Sequence, residues 1–323
     1  MPVTRRDFLR YCNLAATSVG VGAVQLGWLE RALANPLAPS VLWLQGSCCT
    51  GCSISFLNRI SDKVGEPATV DTVITDAINL VYHATIMGAA GDTAVAALRK
   101  TMADGNFILV VEGGIPTAFG GRPCIAYSYN GVEVTFQQAI QELAAKALKI
   151  VCVGTCASFG GIPASGSNPT GVFNVKDLTG RATLNISGCP ANPDWVVWAV
   201  VQLLLGNPVT LDADGRPVAL YSTGHDGSPE DPIIHEKCPR NPGNTGTPLA
   251  TDFGENGHCL ENLGCRGPYT KSRCRASWNG IGGHSPAEPH PGHWCIGVNA
   301  PCQGCVEPTF PGPAFYLPFN PNP

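Results

Sequence analysis

The sequence predicts an α/β fold, in which a parallel sheet carries helices on both faces, followed by a loop-rich C-terminal region. The first observation is a regular alternation of short apolar runs with stretches of helical periodicity between residues 41 and 205. The second is the loss of that periodicity after Leu211, where Gly, Pro, Asn and His dominate. A segment of this kind does not fold unaided, so we expect metal ligation to supply its cross-links.

The strands are predicted from short apolar runs that are bounded by turn residues. Two of the runs, Phe107–Val111 and Ile150–Val153, are apolar at every position, which is typical of parallel strands buried on both faces. The predicted strands are Val41–Leu44, Phe107–Val111, Ile150–Val153 and Thr183–Ile186.

The helices are predicted from apolar residues that recur every three to four positions. The last helix has clear start chemistry, because Asn192 is a good capping residue and Pro193 suits the first turn. We place a domain boundary close behind it, with a first domain over residues 35–206 and a second over residues 207–323. The predicted helices are Ile54–Ile60, Asp92–Met102, Val134–Leu148 and Trp195–Leu205.

The composition limits the function classes. Only 14% of the 323 residues are charged, which indicates that a partner protein covers a large face. The net charge of −4 gives no electrostatic footprint for nucleic acid. The chain contains 15 cysteines, which would suit disulfides, zinc or iron.

The N-terminus resembles a twin-arginine export signal. Arg5 and Arg6 precede an apolar run, and Ala32-Leu33-Ala34 matches a cleavage site. Residues 1–34 are therefore predicted to be a signal peptide, and the mature chain is predicted to be periplasmic. This route exports folded proteins, which fits cofactors inserted in the cytoplasm better than disulfides formed outside. No later segment is apolar for long enough to span a bilayer, so we expect no membrane anchor in the mature chain.

Twelve candidate iron ligands form three groups along the chain. The first set follows predicted strands, whose carboxyl ends meet at one edge of a parallel sheet, so its loops should converge. The second set contains a histidine, and the third contains four cysteines, which suit iron–sulfur clusters. The first set is Cys49, Cys52, Cys156 and Cys189; the second set is His235, Cys238, Cys259 and Cys265; the third set is Cys274, Cys295, Cys302 and Cys305.

Each set has an alternative interpretation. A C-x-x-C pair such as Cys49 and Cys52 also marks zinc sites and redox dithiols, and the second set would suit zinc. In the third set, Cys295 either completes a [4Fe–4S] cluster or is a bystander thiol beside a [3Fe–4S] cluster. Glu112 follows a predicted strand at the same sheet edge; a solvated loop carboxylate is the default interpretation, and a supporting or proton-handling role is the alternative.

Three cysteines remain in the predicted mature chain. Cys152 lies within a predicted strand and is expected in the core, whereas Cys48 adjoins a candidate ligand. We expect Cys48 and Cys124 to be structural or near the first set, with substitution of Cys48 as a ligand under oxidation as the alternative.

The motifs of the chain resemble the small subunit of periplasmic [NiFe]-hydrogenases over nearly the whole mature length. The matching stretches are CTGCS, VEGGIPT, VGTCASFGGIPA, GCPANPDW, HEKC, CLENLGCRGP and PCQGCVEP. The resemblance implies a flavodoxin-like first domain. It also implies that the first set holds a proximal [4Fe–4S] cluster, the second a distal cluster and the third a medial cluster.

The resemblance further implies a function. The holoenzyme would split H2 reversibly at a nickel–iron site in a large subunit, so this chain would contain no catalytic residues of its own. It would relay electrons to a redox partner, which for soluble periplasmic members is typically a multihaem c-type cytochrome. A stand-alone iron–sulfur carrier or a zinc-stabilised interaction protein is the alternative. A subunit like that of respiratory NADH dehydrogenase is disfavoured, because that family lacks the second and third sets.

Three features depart from the usual pattern of that family. Most members have Pro at the position of Cys295 and a medial [3Fe–4S] cluster, whereas Cys295 is similar to the [NiFeSe] branch and its medial [4Fe–4S] cluster. Oxygen-tolerant members carry two extra cysteines, one of which falls at Gly51 and the other at Cys124, while many relatives have Glu where this chain has Cys48. The C-terminal transmembrane helix of membrane-bound members is absent.

Overall fold

The computed structural model describes residues 39–58, 78–222, 233–236, 238–255, 257–274 and 294–312. The predicted signal peptide, residues 1–34, lies outside these ranges, as does the end of the helix predicted over Ile54–Ile60. In the described part of the chain, no helix is long and apolar enough to cross a membrane.

The strands confirm the α/β prediction. The described strands are β1 (Ser40–Gln45), β2 (Asn79–His83), β3 (Phe107–Glu112), β4 (Ile115–Pro116), β5 (Ile125–Tyr129), β6 (Val132–Thr135), β7 (Lys149–Val153), β8 (Val172–Phe173) and β9 (Leu184–Ile186). Five of them are parallel and form the central sheet in the spatial order β2-β1-β3-β7-β9, which is the flavodoxin-like order 2-1-3-4-5 when only these five are numbered along the chain.

Helices cover both faces of this sheet. Alternate side chains of a strand point to opposite faces, so Val41 and Trp43 of β1 pack on one side while Leu42 and Leu44 pack on the other. The described helices are α1 (Gly51–Leu57), α2 (Gly91–Asp104), α3 (Phe136–Lys146), α4 (Thr155–Phe159), α5 (Val175–Thr179), α6 (Pro193–Leu205) and α7 (Pro242–Thr245). Residues of α1 and α6 share the first core with the sheet, and residues of α2 and α3 share the second.

The sequence prediction misses several short elements, and two differences concern the sheet edge and helix α3. The edge strand β2 was not predicted, because Asn79 and the partly buried residues after it do not form a continuous apolar run. Helix α3 begins at Phe136 and not at Val134, since residues Val132–Thr135 pair with β5 in a hairpin. Thr135 then caps the helix through a capping box with Gln138.

The second half of the chain is loop-rich, as predicted. Its described residues after Gly206 include the four-residue α-helix α7 and several short 3₁₀ turns. Its small core includes three cysteines of the second and third sets, Cys238, Cys265 and Cys302. A second-half residue, Val306, instead packs in the first core of the sheet domain.

Candidate metal centres

The cysteines of the first set all lie at one edge of the sheet. Cys49 and Cys52 follow β1, Cys156 lies in α4 directly after β7, and Cys189 follows β9. These strands are parallel, so their carboxyl ends bring the three loops together. This is the arrangement that the sequence predicts.

Close contacts bring the thiols of this set together. Burial, together with the neighbouring thiols of Cys189 and Cys49, raises the pKa of Cys156 to about 12. The backbone N–H of Ala191 donates to Sγ of Cys52 over 3.4 Å. Gly154 has a φ of +88°, and a Cβ at this position would lie 2.5 Å from Sγ of Cys52. The loop therefore depends on glycine to make room for that sulfur.

Glu112 is buried beside the first set, so the default interpretation of a solvated loop carboxylate is wrong. The carboxylate is 1% exposed, because β3 continues to Glu112 and pairs it with Gln45 of β1. One oxygen accepts the backbone N–H groups of Cys52 and Ser53, each at 3.1 Å. The other accepts from the side chains of Trp43, Gln45 and Ser53. Glu112 thus fixes the start of α1, where Cys52 lies.

A buried histidine extends this network away from the cysteines. His83 has no exposed surface, and burial lowers its pKa to about 4, so its ring is neutral. Its Nδ1 accepts the backbone N–H of Thr85 over 3.2 Å. This hydrogen bond assigns the ring proton to Nε2, which lies 3.1 Å from Oγ of Ser53. The hydroxyl of Ser53 is therefore held between His83 and Glu112.

The second set converges in the loop-rich half. Burial, together with the thiols of Cys238 and Cys259, raises the pKa of Cys265 to about 11. A Cβ at Gly267 would lie 3.5 Å from Sγ of Cys265 and 3.8 Å from Cβ of His235. His235 therefore lies on the same side of the site as Cys265. His235 is half-buried, so its side of the second set is partly open to solvent.

The third set surrounds the loop at residues 302–305. Burial raises the pKa of Cys305 well above its usual range, and the thiols of Cys274, Cys295 and Cys189 add to the shift. Sγ of Cys274 lies 2.7 Å from Oγ of Ser272. Cys295 influences the thiols of both Cys274 and Cys305, so it lies near them, although the residue is exposed. Because Cys189 belongs to the first set, the third set lies directly beside the first.

The third set also adjoins the second. The backbone N–H of Cys302 donates to Sγ of Cys265 over 3.2 Å. On the side of the first set, the backbone of Cys189 hydrogen-bonds to the thiol of Cys305. This bond opposes the rise in the pKa of Cys305 that burial causes. The three sets thus form a continuous series in which the third lies between the first and the second.

The three remaining cysteines of the predicted mature chain belong to none of the three sets. Cys152 is fully buried in β7, as predicted. Burial, together with Glu112, Cys49 and Cys124, raises the pKa of Cys48 to about 11. Cys48 and Cys124 are both half-buried near the first set.

The chemistry of these donors fits iron–sulfur clusters. Every cysteine of the described residues is a free thiol. Several sulfurs accept backbone N–H groups, the kind of hydrogen bond that tunes cluster potentials. Within the described ranges, no three His, Cys, Asp or Glu side chains are grouped tightly enough for one metal ion. A cluster instead spreads its ligands over several iron atoms.

Four supporting side chains were not identified from the sequence. They are ordinary polar residues whose partners lie far away in the chain, so no local pattern marks them. Thr155 and Ser187 donate to carbonyl oxygens of the third set's loop, while Ser53 and His83 form the network behind Glu112.

Two protein families match different parts of the chain. Residues 49–203 match the family described as the 20 Kd subunit of NADH ubiquinone oxidoreductase. Residues 231–316 match the C-terminal part of the NiFe/NiFeSe hydrogenase small subunit. The second match covers all eight residues of the second and third sets, so it separates the hydrogenase interpretation from the NADH dehydrogenase one.

Relatives of known function match over nearly the full length. The chain is 35% identical to the periplasmic [NiFeSe] hydrogenase small subunit of Desulfomicrobium baculatum, over 96% of this chain and 97% of the relative. It is also 35% identical to the periplasmic [NiFe] hydrogenase small subunit of Solidesulfovibrio fructosivorans, over 95% and 90%. The solved Ni–Fe–Se hydrogenase from Desulfomicrobium baculatum is similar with a TM-score of 0.71 and 37% identity, over 87% of this chain and 99% of that chain.

Proposed function

The chain belongs to the family of NiFe/NiFeSe hydrogenase small subunits, and from this premise we propose which residues hold its electron carriers. It is the electron-transfer subunit of a hydrogenase whose nickel–iron site lies in the large subunit. The alternative of a stand-alone carrier is not supported, since the relatives are named subunits of hydrogenases.

We propose that each cysteine set holds one iron–sulfur cluster. Such clusters supply one-electron carriers. The observation that carries this proposal is the continuous series of contacts, from Cys189 to Cys305 and from Cys302 to Cys265. The proposed ligands are Cys49, Cys52, Cys156 and Cys189 for a proximal [4Fe–4S] cluster; Cys274, Cys295, Cys302 and Cys305 for a medial cluster; and His235, Cys238, Cys259 and Cys265 for a distal [4Fe–4S] cluster.

The protein residues set the positions and potentials of these carriers. Glu112 holds the backbone of Cys52 and places a buried negative charge beside the first set. Backbone N–H groups hydrogen-bond to the sulfurs and stabilise the more negative, reduced state. His235 is a neutral ligand, which leaves the distal site less negative and its cluster easier to reduce.

The medial site is proposed to hold a [4Fe–4S] cluster. The support is the proximity of Cys295 to Cys274 and Cys305, which gives this site a fourth thiol. The alternative is a [3Fe–4S] cluster with Cys295 as a bystander. The iron content of the purified protein distinguishes the two cluster types.

The cellular setting is a further proposal. We propose that residues 1–34 direct export by the twin-arginine route and that the mature chain, divided into domains over 35–206 and 207–323, works in the periplasm. The support is the Arg5-Arg6 motif and the periplasmic location named for the relatives. A multihaem c-type cytochrome is the proposed redox partner of the half-buried His235 end.

The proposal is tested by purifying the complex anaerobically from its native periplasm. We expect H2-dependent viologen reduction, a nickel-bearing second subunit, and about twelve iron and twelve sulfide per small subunit for three [4Fe–4S] clusters. A [3Fe–4S] medial cluster would lower the iron to about eleven. Zinc without sulfide, or an iron-loaded chain without a partner, would refute the proposal.

The electron exit is tested by the variant His235→Ala. We expect it to slow reduction of the cytochrome more than reduction of viologen, because small dyes also accept electrons elsewhere on the complex. His258→Ala is the matched control, since His258 adjoins Cys259 but pairs with Glu255 at 2.7 Å. Equal losses in both assays for His235→Ala would exclude an exit role.

A further inference from the structure

Arg216 is a fully buried cation that belongs to none of the cysteine sets. Its guanidinium pairs with Asp212 at 2.9 Å, Asp214 at 2.8 Å and Glu307 at 3.0 Å. It also donates to the carbonyl oxygen of Val306 over 3.1 Å. A buried ion group is weak evidence for stability but is a known means of fixing one arrangement over others. The question is therefore which segments Arg216 holds in place.

On one side, Arg216 is tied to the sheet domain. The turn over residues 212–216 packs on β9, where the backbone N–H of Asn185 donates to Gly215 over 2.8 Å. The side chain of Asn185 donates to the carbonyl oxygen of Asp214 over 2.7 Å. Asn185 lies four positions before Cys189, a residue of the first set. The turn is therefore anchored to the strand that delivers that set's last cysteine.

On the other side, Arg216 holds the third set. Val306 and Glu307 directly follow Cys305. The second carboxylate oxygen of Glu307 accepts the backbone N–H of Lys271 over 2.6 Å, three positions before Cys274. A single carboxylate thus connects Arg216 to both arms of the third set.

The same loop receives hydrogen bonds from the first set's own loops. Oγ of Ser187 donates to the carbonyl oxygen of Val306 over 2.8 Å, and Oγ1 of Thr155 donates to that of Cys305. Ser187 lies two positions before Cys189, and Thr155 directly precedes Cys156. The carbonyl of Val306 therefore has two donors: Ser187, which lies in the sheet domain, and Arg216, whose turn is anchored to strand β9 of that domain.

We propose that Arg216, acting through Glu307, is a positioning residue that fixes the distance between the first and third cysteine sets. This inference rests on the proposed function, in which one electron passes between clusters at those sets without any bond being made or broken. Tunnelling rates fall exponentially with separation, so a small displacement of the Cys305 loop changes this step. Arg216 touches neither substrate nor cluster ligand side chains and does not itself carry the electron.

The test compares two variants that each remove one carboxylate from the same guanidinium. Glu307→Ala releases the third set's loop, whereas Asp214→Ala removes a pair on the opposite side and retains the backbone contact to Asn185. Both are prepared as the holoenzyme with the large subunit. The magnetic interaction between the first and third clusters is measured by EPR after reduction with H2. Reduction of the third cluster after rapid mixing with H2 is followed by freeze-quench EPR.

We expect Glu307→Ala to alter the splitting and to slow reduction of the third cluster several-fold per cluster-loaded molecule. Asp214→Ala should retain the wild-type splitting and rate, whatever its melting temperature. Glu307→Gln keeps the size and one acceptor of the glutamate, so it should give a smaller change. If the Glu307→Ala variant does not assemble, Glu307→Gln is used in its place.

Wild-type splitting and rate in the Glu307 variants, with only a lower melting temperature, would overturn the inference, because a purely structural role predicts that result. Equal changes in Asp214→Ala and Glu307→Ala would overturn it as well. A wild-type complex without clusters would instead refute the proposed function, so the two failures are distinguishable.

Discussion

The backbone N–H of Cys302 lies 3.2 Å from Sγ of Cys265, so a residue of the third set donates a hydrogen bond directly to a sulfur of the second. The backbone of Arg266 returns a hydrogen bond of 2.7 Å to the carbonyl oxygen of Cys302. These reciprocal bonds hold the two loops together. The path proposed for electrons between the two sites therefore requires no intervening side chain.

The first prediction concerns the charge of Glu112. We expect Glu112→Gln to raise the reduction potential of the cluster at the first set, because the reduced cluster loses a repulsive neighbour. Two charges on the order of 10 Å apart at an effective dielectric of about 20 interact by about 1.7 kcal/mol. This corresponds to about 70 mV for one electron. The measurement is a potentiometric titration followed by EPR.

Ser53→Ala is the control for this variant. It removes a hydroxyl donor from Glu112 but leaves the charge in place. A smaller shift is therefore expected, and an equal shift in both variants would show that hydrogen bonding and not charge sets the potential.

The second prediction concerns the type of the medial cluster. We expect Cys295→Pro to lower the iron content by about one atom per chain and to produce the EPR signal of an oxidised [3Fe–4S] cluster. The backbone accepts proline, because Cys295 has a φ of −49°. Cys124→Ala should leave the iron content unchanged. If iron also stays constant in Cys295→Pro, Cys295 is a bystander.

The third prediction concerns the space that Gly154 leaves. We expect Gly154→Ala to lose the cluster at the first set, because the new methyl group would lie 2.5 Å from Sγ of Cys52. Gly105→Ala is matched in backbone strain, with a φ of +76°, but has no neighbour within 4 Å. Iron and sulfide analysis should show a loss in the first variant only. A loss in neither would mean that the loop relaxes around the methyl group.

The fourth prediction concerns the stability of the complex in acid. Burial lowers the pKa of His83 from 6.5 to about 4, so the folded state resists protonation that the unfolded chain accepts. The resulting stability is complete above pH 6.5 and is lost as the pH falls towards 4. Between pH 7 and pH 5 this loss is on the order of 2 kcal/mol.

The measurement is anaerobic thermal unfolding of the wild-type complex and of His83→Gln at both pH values. The variant should show a smaller fall in melting temperature, because glutamine does not titrate. An unchanged pH dependence in His83→Gln would remove His83 as the cause.

The sequence predicts the sheet well where strands are buried on both faces. Phe107–Val111 and Ile150–Val153 lie within β3 and β7, and the cysteines that follow the strands meet at one edge, as parallel topology requires. The edge strand β2 escaped prediction because only one neighbour pairs with it, so its residues need not be uniformly apolar.

Residues that support the cysteines could not be predicted, since their partners are remote in sequence. Thr155 and Ser187 lie 150 and 119 positions from the carbonyl groups that they contact. The burial of Arg216 likewise depends on Glu307, which is 91 positions away. The burial of Glu112 is not evident in the sequence, because strand β3 extends one residue beyond its apolar run and carries the carboxylate into the protein.

The shared acceptor at Val306 also limits how the two halves can be recombined. The first family match ends at residue 203 and the second begins at residue 231. The interval between them suggests a convenient site for building chimeras with relatives. A transplanted second half would bring its own Val306 carbonyl, whereas Ser187 would stay with the recipient and Arg216 would fall within the unmatched interval. The gap between the two family matches is thus not a boundary in the structure, and we expect exchange of halves to preserve this contact only when residues 212–216 are transferred together with the loop that they hold.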